Sequence, residues 1–366
     1  MGRHQAQGEE AIGEAVARPL DLDGSVGEGG GQIVRTALAL AVALGRPVAI
    51  SRIRAGRPKP GLQPQHLTVV RALAAVSDAE VTGDELGSSG LDFAPRTLRG
   101  GEYRFDVGAI KGSAGSVSLL FQALLLPLAL AGLPSRLTLI GGTHVPWSPT
   151  VHYLTEVFLP ALRSTGLEAT VTLRRWGWYP AGGGEIEATI APVGALGAFT
   201  PGGSRGAPVI TGISAVSRLP RSIAERQRRR VEERLAAAGL RAEIAIEEDQ
   251  QAWSPGTLVF LSARGRAGFS ALGRRGLLAE AVADAAVDDL LAWIASGSAV
   301  DDHLADQLLP FLALAPDVSR MTCPRLTPHL RTVGWVVEQF LPVSVGFAAG
   351  PPARVEVAPA TPTVVT

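Results

Sequence analysis

A glycine-rich loop that opens directly onto an apolar helix recurs along this chain, and that recurrence restricts the fold more than any other feature. Residues 24–31 form one such loop, followed by a helical pattern over 32–44 and a strand over 47–53. A second helix is predicted over 64–76 and a strand over 79–82. The loop 112–116 then opens a helix over 117–131, with a strand over 136–140. Another loop, 141–149, leads to a helix over 151–164 and a strand over 169–174. Helix-period apolar spacing that alternates with short β-branched runs points to an α/β arrangement. Loop, helix, strand, helix and strands return about every 80 residues, as in domains made of repeated supersecondary units.

Composition changes near Ala191, and residues 194–206 are rich in glycine and alanine, as a connector would be. From 207 to 264 the pattern is strand, basic helix, strand, strand. The expected organisation is a disordered extension over 1–18, a main domain over 19–200, a small inserted α/β domain over 201–270, the rest of the main domain over 271–358 and a tail over 359–366. A helix over 275–295 is expected to return the chain to the main body, with further helices over 303–314 and 328–340 before the last strands. The arginine-rich run from Arg218 to Arg230 is interleaved with acids such as Glu225, so a solvated helix face is favoured over an RNA-binding one.

Charge bounds the partners. The 366 residues carry 34 basic and 34 acidic side chains, a balance that argues against coating nucleic acid through many phosphate contacts. It leaves recognition of a single nucleic-acid end open. Cys323 is the one cysteine, so no internal disulfide and no multi-cysteine zinc site can form. The first 18 residues lack a basic segment followed by an apolar run, unlike a signal peptide. The most apolar run, 117–133, is interrupted by Gln122 and Pro127 and suits a buried core helix better than a membrane span. A cytoplasmic protein without a membrane partner is expected.

Five segments carry candidate chemistry. Residues 23–35 read DGSVGEGGGQIVR. Their glycines would let backbone N–H groups approach an anion beside a helix N-terminus. Glu28 would repel a phosphate unless a divalent cation lay between them; a tight turn with a helix-capping carboxylate is the alternative. Residues 54–66, RAGRPKPGLQPQH, present Arg54, Arg57 and Lys59 on a stiff loop suited to phosphate, or simply exposed. The loop 112–116, GSAGS, precedes a helix whose lone polar residue, Gln122, requires a partner, whether a nucleotide or a backbone carbonyl. In 301–307, DDHLADQ, the residues His303, Asp306 and Gln307 share a helical face able to hold a base, sugar or metal, or else form the exposed side of a capped helix. In 326–331, LTPHLR, Thr327 is a natural N-cap and Pro328 suits the first helical position. His329 then falls in the first turn, where the helix dipole disfavours imidazolium. Neutral imidazole is the form that attacks phosphorus; a structural role is the alternative.

Together these segments resemble the RNA 3'-terminal phosphate cyclase family, from about Leu22 to Val357. The stretches GGT at 141–143, PWSP at 146–149, YPAGGG at 179–184 and LADQ at 304–307 add to the resemblance, and the order and number of the pieces make it specific. It implies an α+β fold of alternating α/β units: repeated βαβαββ units, the cyclase/enolpyruvyl transferase architecture, with a small inserted domain. It implies ATP-dependent conversion of an RNA 3'-phosphate to a 2',3'-cyclic phosphate through histidine-AMP and RNA-adenylate intermediates, with Mg2+ or Mn2+. The family's nucleophile falls on His329 and its metal-associated carboxylate on Glu28. Its nucleotide pocket falls on Gln122, His303, Leu304, Ala305, Asp306 and Gln307, with Arg35, Arg54, Arg57 and His66 at phosphate-contacting positions. Two positions depart from the pattern: His303 where relatives often carry tyrosine, and His144 where an acidic residue is common. Two other functions share parts of this pattern. One is a non-catalytic cyclase-like scaffold in ribosomal RNA processing, which would be expected to lack His329. The other is an enolpyruvyl-transferase-like enzyme for small molecules, which fold alone would permit.

Overall fold

The structure is a computed structural model describing residues 18–110, 112–201 and 208–360. The expected N-terminal extension, apart from Arg18, lies outside the described residues, as do residues 202–206 of the connector and most of the tail.

The first unit runs β1 (Leu20–Asp23), α1 (Gly31–Leu44), β2 (Val48–Ser51), α2 (Pro64–Ser77), β3 (Glu80–Thr82) and β4 (Leu91–Ala94). Its sheet has the order β1-β2-β4-β3, with β1 and β2 parallel and the remaining pairs antiparallel. The parallel pair needs a crossover, and α1 supplies it. The second unit repeats this plan. It consists of β5 (Glu102–Asp106), α3 (Val117–Ala129), β6 (Ser135–Gly141), a helical stretch, β7 (Ala169–Arg175) and β8 (Gly184–Ile190). The stretch comprises α4 (Val151–Tyr153), a π turn (Leu154–Phe158) and α5 (Leu159–Arg163), where one regular helix was expected. The sheet order is β5-β6-β8-β7, again with only the first pair parallel.

Next come β9 (Ile210–Ser217), α6 (Arg221–Ala237), β10 (Ala242–Asp249), β11 (Gly256–Ala263), β12 (Ala267–Leu272) and α7 (Ala279–Ser296). Their sheet is ordered β10-β9-β11-β12. The chain ends in α8 (Asp302–Leu312), β13 (Ser319–Cys323), α9 (Pro328–Phe340), β14 (Val343–Ala348) and β15 (Ala353–Pro359). The order β13-β15-β14 equals the last three strands of the repeated unit, without its first. The βαβαββ repeat is therefore present twice in full and once truncated, with another unit between the second and third copies.

Two apolar cores follow this division. In the larger, the almost wholly apolar α3 packs against α1, α2 and β6, which is how a helix without a polar face is accommodated. No helix among the described residues is long and apolar enough to cross a membrane. The smaller core joins Val231 and Leu235 of α6 to Val259 and Leu261 of β11. It also takes Val282, Val287, Leu290 and Trp293 of α7. Helix α7 thus packs with the inserted strands, although the sequence pattern led us to expect a return to the main body after residue 270. Its apolar face is matched to α6, and its acids explain the arginine run. Arg226 pairs with Glu280 at 2.6 Å, Arg230 with Asp284 at 2.8 Å, and Arg234 with Asp284 and Asp288 at 2.7 and 2.6 Å. The expectation of a purely solvated face is corrected accordingly. It holds for Arg228, which pairs with Glu232 on its own helix at 3.7 Å.

Apolar burial outweighs these accessible ion pairs. Leu290→Ala should cost about 2–5 kcal/mol of stability. Arg234→Ala should cost about 1 kcal/mol or less. Urea unfolding followed by circular dichroism measures both.

Candidate active site

The loops after β1, β2 and β13 lie together and bring the N-termini of α1, α2 and α9 to one place. Helix α9 starts as the sequence predicts. The Thr327 hydroxyl accepts the Leu330 N–H at 3.0 Å, Pro328 takes the first position, and His329 lies in the first turn. The loop 24–30 folds over that turn. Gly27 has φ +61°, and a methyl there would lie 2.2 Å from the Thr332 hydroxyl oxygen, so only glycine permits the approach. The next residue, Glu28, sets its Oε2 atom 2.8 Å from His329 Nδ1 and 3.1 Å from an Arg57 nitrogen. Gln32 ties α1 to α9 by donating from Nε2 to the His329 carbonyl at 3.0 Å.

This geometry fixes the state of His329. Burial lowers its pKa from the ordinary 6.5; Glu28 pulls upward, while Arg35 and His303 push further down. The ring is therefore neutral near pH 7. A neutral ring beside a carboxylate places its proton on Nδ1, donated to Glu28, and leaves the lone pair on Nε2. Among the described residues Nε2 has no hydrogen-bond partner, and the side chain is 46% exposed. Burial thus favours the same neutral state that the helix end was expected to favour.

Beside it lies a cradle of donors. Helix α1 begins at Gly30 with no side-chain cap and no acidic residue in its first turn. Arg57 lies alongside Gly30. His66 faces Gly31 so closely that a methyl there would be 1.9 Å from Nε2. The Nδ1 atom of His66 accepts the Gln63 N–H at 3.1 Å, so Nε2 carries the proton and points it at the start of α1. Burial, with help from Arg35 and Arg54, pushes the His66 pKa down to about 3. Backbone N–H groups, a guanidinium and an imidazole N–H all meet here, which suits an anion. Arg54 is differently employed: it donates to the carbonyls of Lys59 and, at 3.2 Å, Gly61, and so braces its own loop. Burial lowers the Arg35 pKa to about 10 against the pull of Asp306. Burial and Asp301 raise Asp306 well above the usual carboxylate range.

A third wall comes from α3 and α8. Gln122 donates to the Gln307 side-chain oxygen at 2.6 Å, which supplies the partner its apolar helix demanded. His303 is exposed, and Asp306 and Gln307 are partly accessible. Leu304 and Ala305 are fully buried in the larger core, so their side chains face away from this polar row. Asp301 and Asp302, which the sequence pattern did not single out as individual anchors, hold the helix in place. Asp301 caps it through the His303 and Leu304 N–H groups, both at 2.8 Å, and accepts the Tyr153 hydroxyl at 2.9 Å. Asp302 binds Arg325 at 2.7 Å, just ahead of α9. An aspartate before a helical pattern is a visible cap signal, whereas Tyr153 gave none. His144 is buried elsewhere, between the Thr143 hydroxyl at 2.8 Å and His152 at 3.0 Å, and stacks on Trp176.

A family model described as RNA 3'-terminal phosphate cyclase matches residues 26–347. This chain belongs to that family. The match runs from the loop after β1 into β14 and includes the insertion. Cyclase relatives include one from Methylococcus capsulatus, 48% identical over 88% of this chain and 91% of the relative. Another, from Nostoc punctiforme, is 44% identical over 88% and 94%. An archaeal cyclase from Archaeoglobus fulgidus is 42% identical over 90% and 97%. The cyclase resemblance seen in the sequence is thereby established. Glu28, Arg35, Arg57, His66 and His329 come together in this cyclase-family chain, with Gln122 and Gln307 joined across the same cleft.

The contact between Gly31 and His66 can be tested. Gly31→Ala should displace the His66 ring and cost about 1–3 kcal/mol in thermal unfolding. It should also weaken nucleotide binding. Gly56→Ala, in the neighbouring loop with nothing within 4 Å of the added methyl, should leave both unchanged.

Proposed function

We propose that this protein closes an RNA 3'-phosphate to a 2',3'-cyclic phosphate at the expense of ATP, with His329 as the nucleophile. The observation that carries this reading is the 2.8 Å contact between Glu28 Oε2 and His329 Nδ1, which directs an unpartnered Nε2 lone pair outward. In the first step Nε2 attacks the α-phosphorus of ATP; an N–P bond forms and the bond to pyrophosphate breaks. An RNA 3'-phosphate oxygen then attacks the same phosphorus, breaking the N–P bond and restoring the imidazole. Finally the 2'-hydroxyl attacks the 3'-phosphorus, AMP leaves, and the hydroxyl proton passes to solvent. Splitting one substitution into several is the advantage of covalent catalysis. Ring closure gains from a hydroxyl already attached beside the activated phosphate.

Glu28 is suited to hold the nucleophile's tautomer. The uncapped start of α1, with Arg57 and His66 Nε2–H, is suited to the phosphates of ATP or the RNA end. Arg35, in the field of both His66 and His329, would add positive charge beside the reacting phosphorus. The polar row His303, Asp306 and Gln307, joined to Gln122, would receive the nucleoside. Among the described residues no cluster of three His, Cys, Asp or Glu side chains could hold a metal alone. A magnesium or manganese ion carried by the triphosphate fits such a site, since these ions combine one or two carboxylates with substrate phosphate oxygens. Both Glu28 contacts use Oε2, so Oε1 is the atom that would hold it. When bound, the ion would neutralise charge on the phosphate oxygens.

Incubation with α-labelled ATP and a divalent ion, without RNA, should label the wild-type protein and not His329→Ala. The label should survive alkali, be lost in acid, and be discharged by RNA bearing a 3'-phosphate. Label persisting in His329→Ala would assign the nucleophile elsewhere, and absence of label on folded wild type would favour a binding scaffold.

The protonation state gives a second test. Because the neutral ring reacts and its pKa is lowered, the acid limb of the labelling rate should have its midpoint below pH 6.5. A midpoint above 6.5 would mean that the attraction of Glu28 outweighs burial. Glu28→Gln should slow labelling about 10- to 100-fold, as loss of an orienting partner does.

A further inference from the structure

The exposed aromatic side chains among the described residues are Trp147, Tyr179 and Trp253, at 94%, 63% and 63%. All three stand on loops that meet. The loop bearing Trp147 is bonded to the one bearing Tyr179: the N–H groups of Thr143 and His144 donate to the Gly177 carbonyl at 2.9 and 3.0 Å. Trp253 projects from the β10–β11 loop onto the same place, its ring resting on Gly183, where a methyl would lie 2.2 Å from it. The Arg175 guanidinium stands 5.7 Å from the ring centre of Trp253, with Glu185 3.5 Å away from the same arginine.

Contacts lead from this shelf to the active site. Gly182 lies against Ala114, and Gly115 against the Gln65 side chain, each within 3.1 Å of where a methyl would sit. The Ser116 N–H donates to Gln65 Oε1 at 3.3 Å. The neighbour of Gln65 is His66, whose ring faces Gly31 in the donor cradle.

Trp253 is held by Gly183 and Arg175, whereas Trp147 projects almost wholly into solvent from a backbone position with φ +59°. These three rings sit on separate loops. Each offers a ring to solvent, on loops linked through Ala114, Gly115 and Gln65 to the loop that carries His66. A chain with 34 basic and 34 acidic residues has no net positive charge to hold a polyanion, so contacts other than phosphate pairing gain weight. Base stacking on aromatic rings is such a contact and does not demand a sequence.

We propose that Trp147, Tyr179 and Trp253 stack the bases of the RNA strand upstream of its 3'-phosphate. This assignment rests on the reading of the RNA end as substrate. The test compares two dodecamers ending in a 3'-phosphate, one with normal bases and one with abasic sites at the upstream positions. Wild type and a variant carrying Trp147→Ala, Tyr179→Ala and Trp253→Ala are charged with labelled ATP, and discharge by each RNA is followed. Charging without RNA should be unchanged in the variant, which also shows that it is folded. In the wild type the abasic dodecamer should have a KM about 10- to 100-fold above that of the normal one. In the variant the normal dodecamer should show that higher KM already, and removing its bases should add nothing, the coupling that a shared contact requires. Trp253→Phe should retain more affinity than Trp253→Ala. A variant whose two KM values differ as much as the wild type's would overturn this proposal alone. Wild type that charges but is discharged by neither RNA would overturn the substrate reading and this proposal with it.

Discussion

The approach of the loop 24–30 to the first turn of α9 is the constraint on which the site depends. Gly27 lets the loop lie against Thr332, and the chain geometry then leaves Glu28 little choice but to meet His329. One carboxylate oxygen thereby serves two partners. It fixes which imidazole nitrogen is free, and it ties Arg57 of a different loop to His329. Loss of the close approach would disturb both at once, because each contact is made by the same atom.

The repeated unit explains why such distant segments converge. In the unit's plan the first two strands run parallel, so the loops leaving their ends emerge on the same side and each opens a helix. The loops after β1 and β2 contribute Glu28 and Arg57 in this way. The third copy keeps only the equivalents of the later strands, yet its β13 still hands the chain to α9 and places His329 opposite. The inserted unit has a core of its own, closed by α7 and by arginine–carboxylate pairs between two helices. Its Trp253 loop nevertheless reaches the main body, so the insertion is in contact with the surface beside the site.

Much of this was legible in the sequence, for physical reasons that can be named. Helices opened by Thr327-Pro328 or by a glycine loop announce themselves, because their unsatisfied N–H groups need a cap or a ligand. Gln122 announced a partner, since an amide on an apolar helix cannot stay unbonded, and Gln307 is that partner. The strands β4 and β5 were not predicted, although the equally short β2 and β3 were. Nor was the place of α7, because its spacing gives an apolar face without saying which core receives it. Pairings across the chain, such as Glu28 with His329 or Asp301 with Tyr153, depend on the closed tertiary structure and leave no local trace.

Two histidines in one cleft show how environment assigns roles. His66 has no carboxylate at hand; Arg35 and Arg54 reinforce burial, and its pKa falls to about 3. Its Nδ1 lone pair is spent on the Gln63 N–H, so at any pH near neutrality it offers a proton and no nucleophile. His329 feels the same Arg35, but Glu28 partly offsets it and accepts a hydrogen bond from Nδ1–H; burial keeps the ring neutral, with the Nε2 lone pair outward. The two rings are thus neutral with opposite polarity toward the cleft: one donates where an anion would rest, the other presents electrons where an electrophilic phosphorus would stand. A single carboxylate placed beside only one of them is the chemical difference between the rings, and it lies in Glu28 rather than in either histidine.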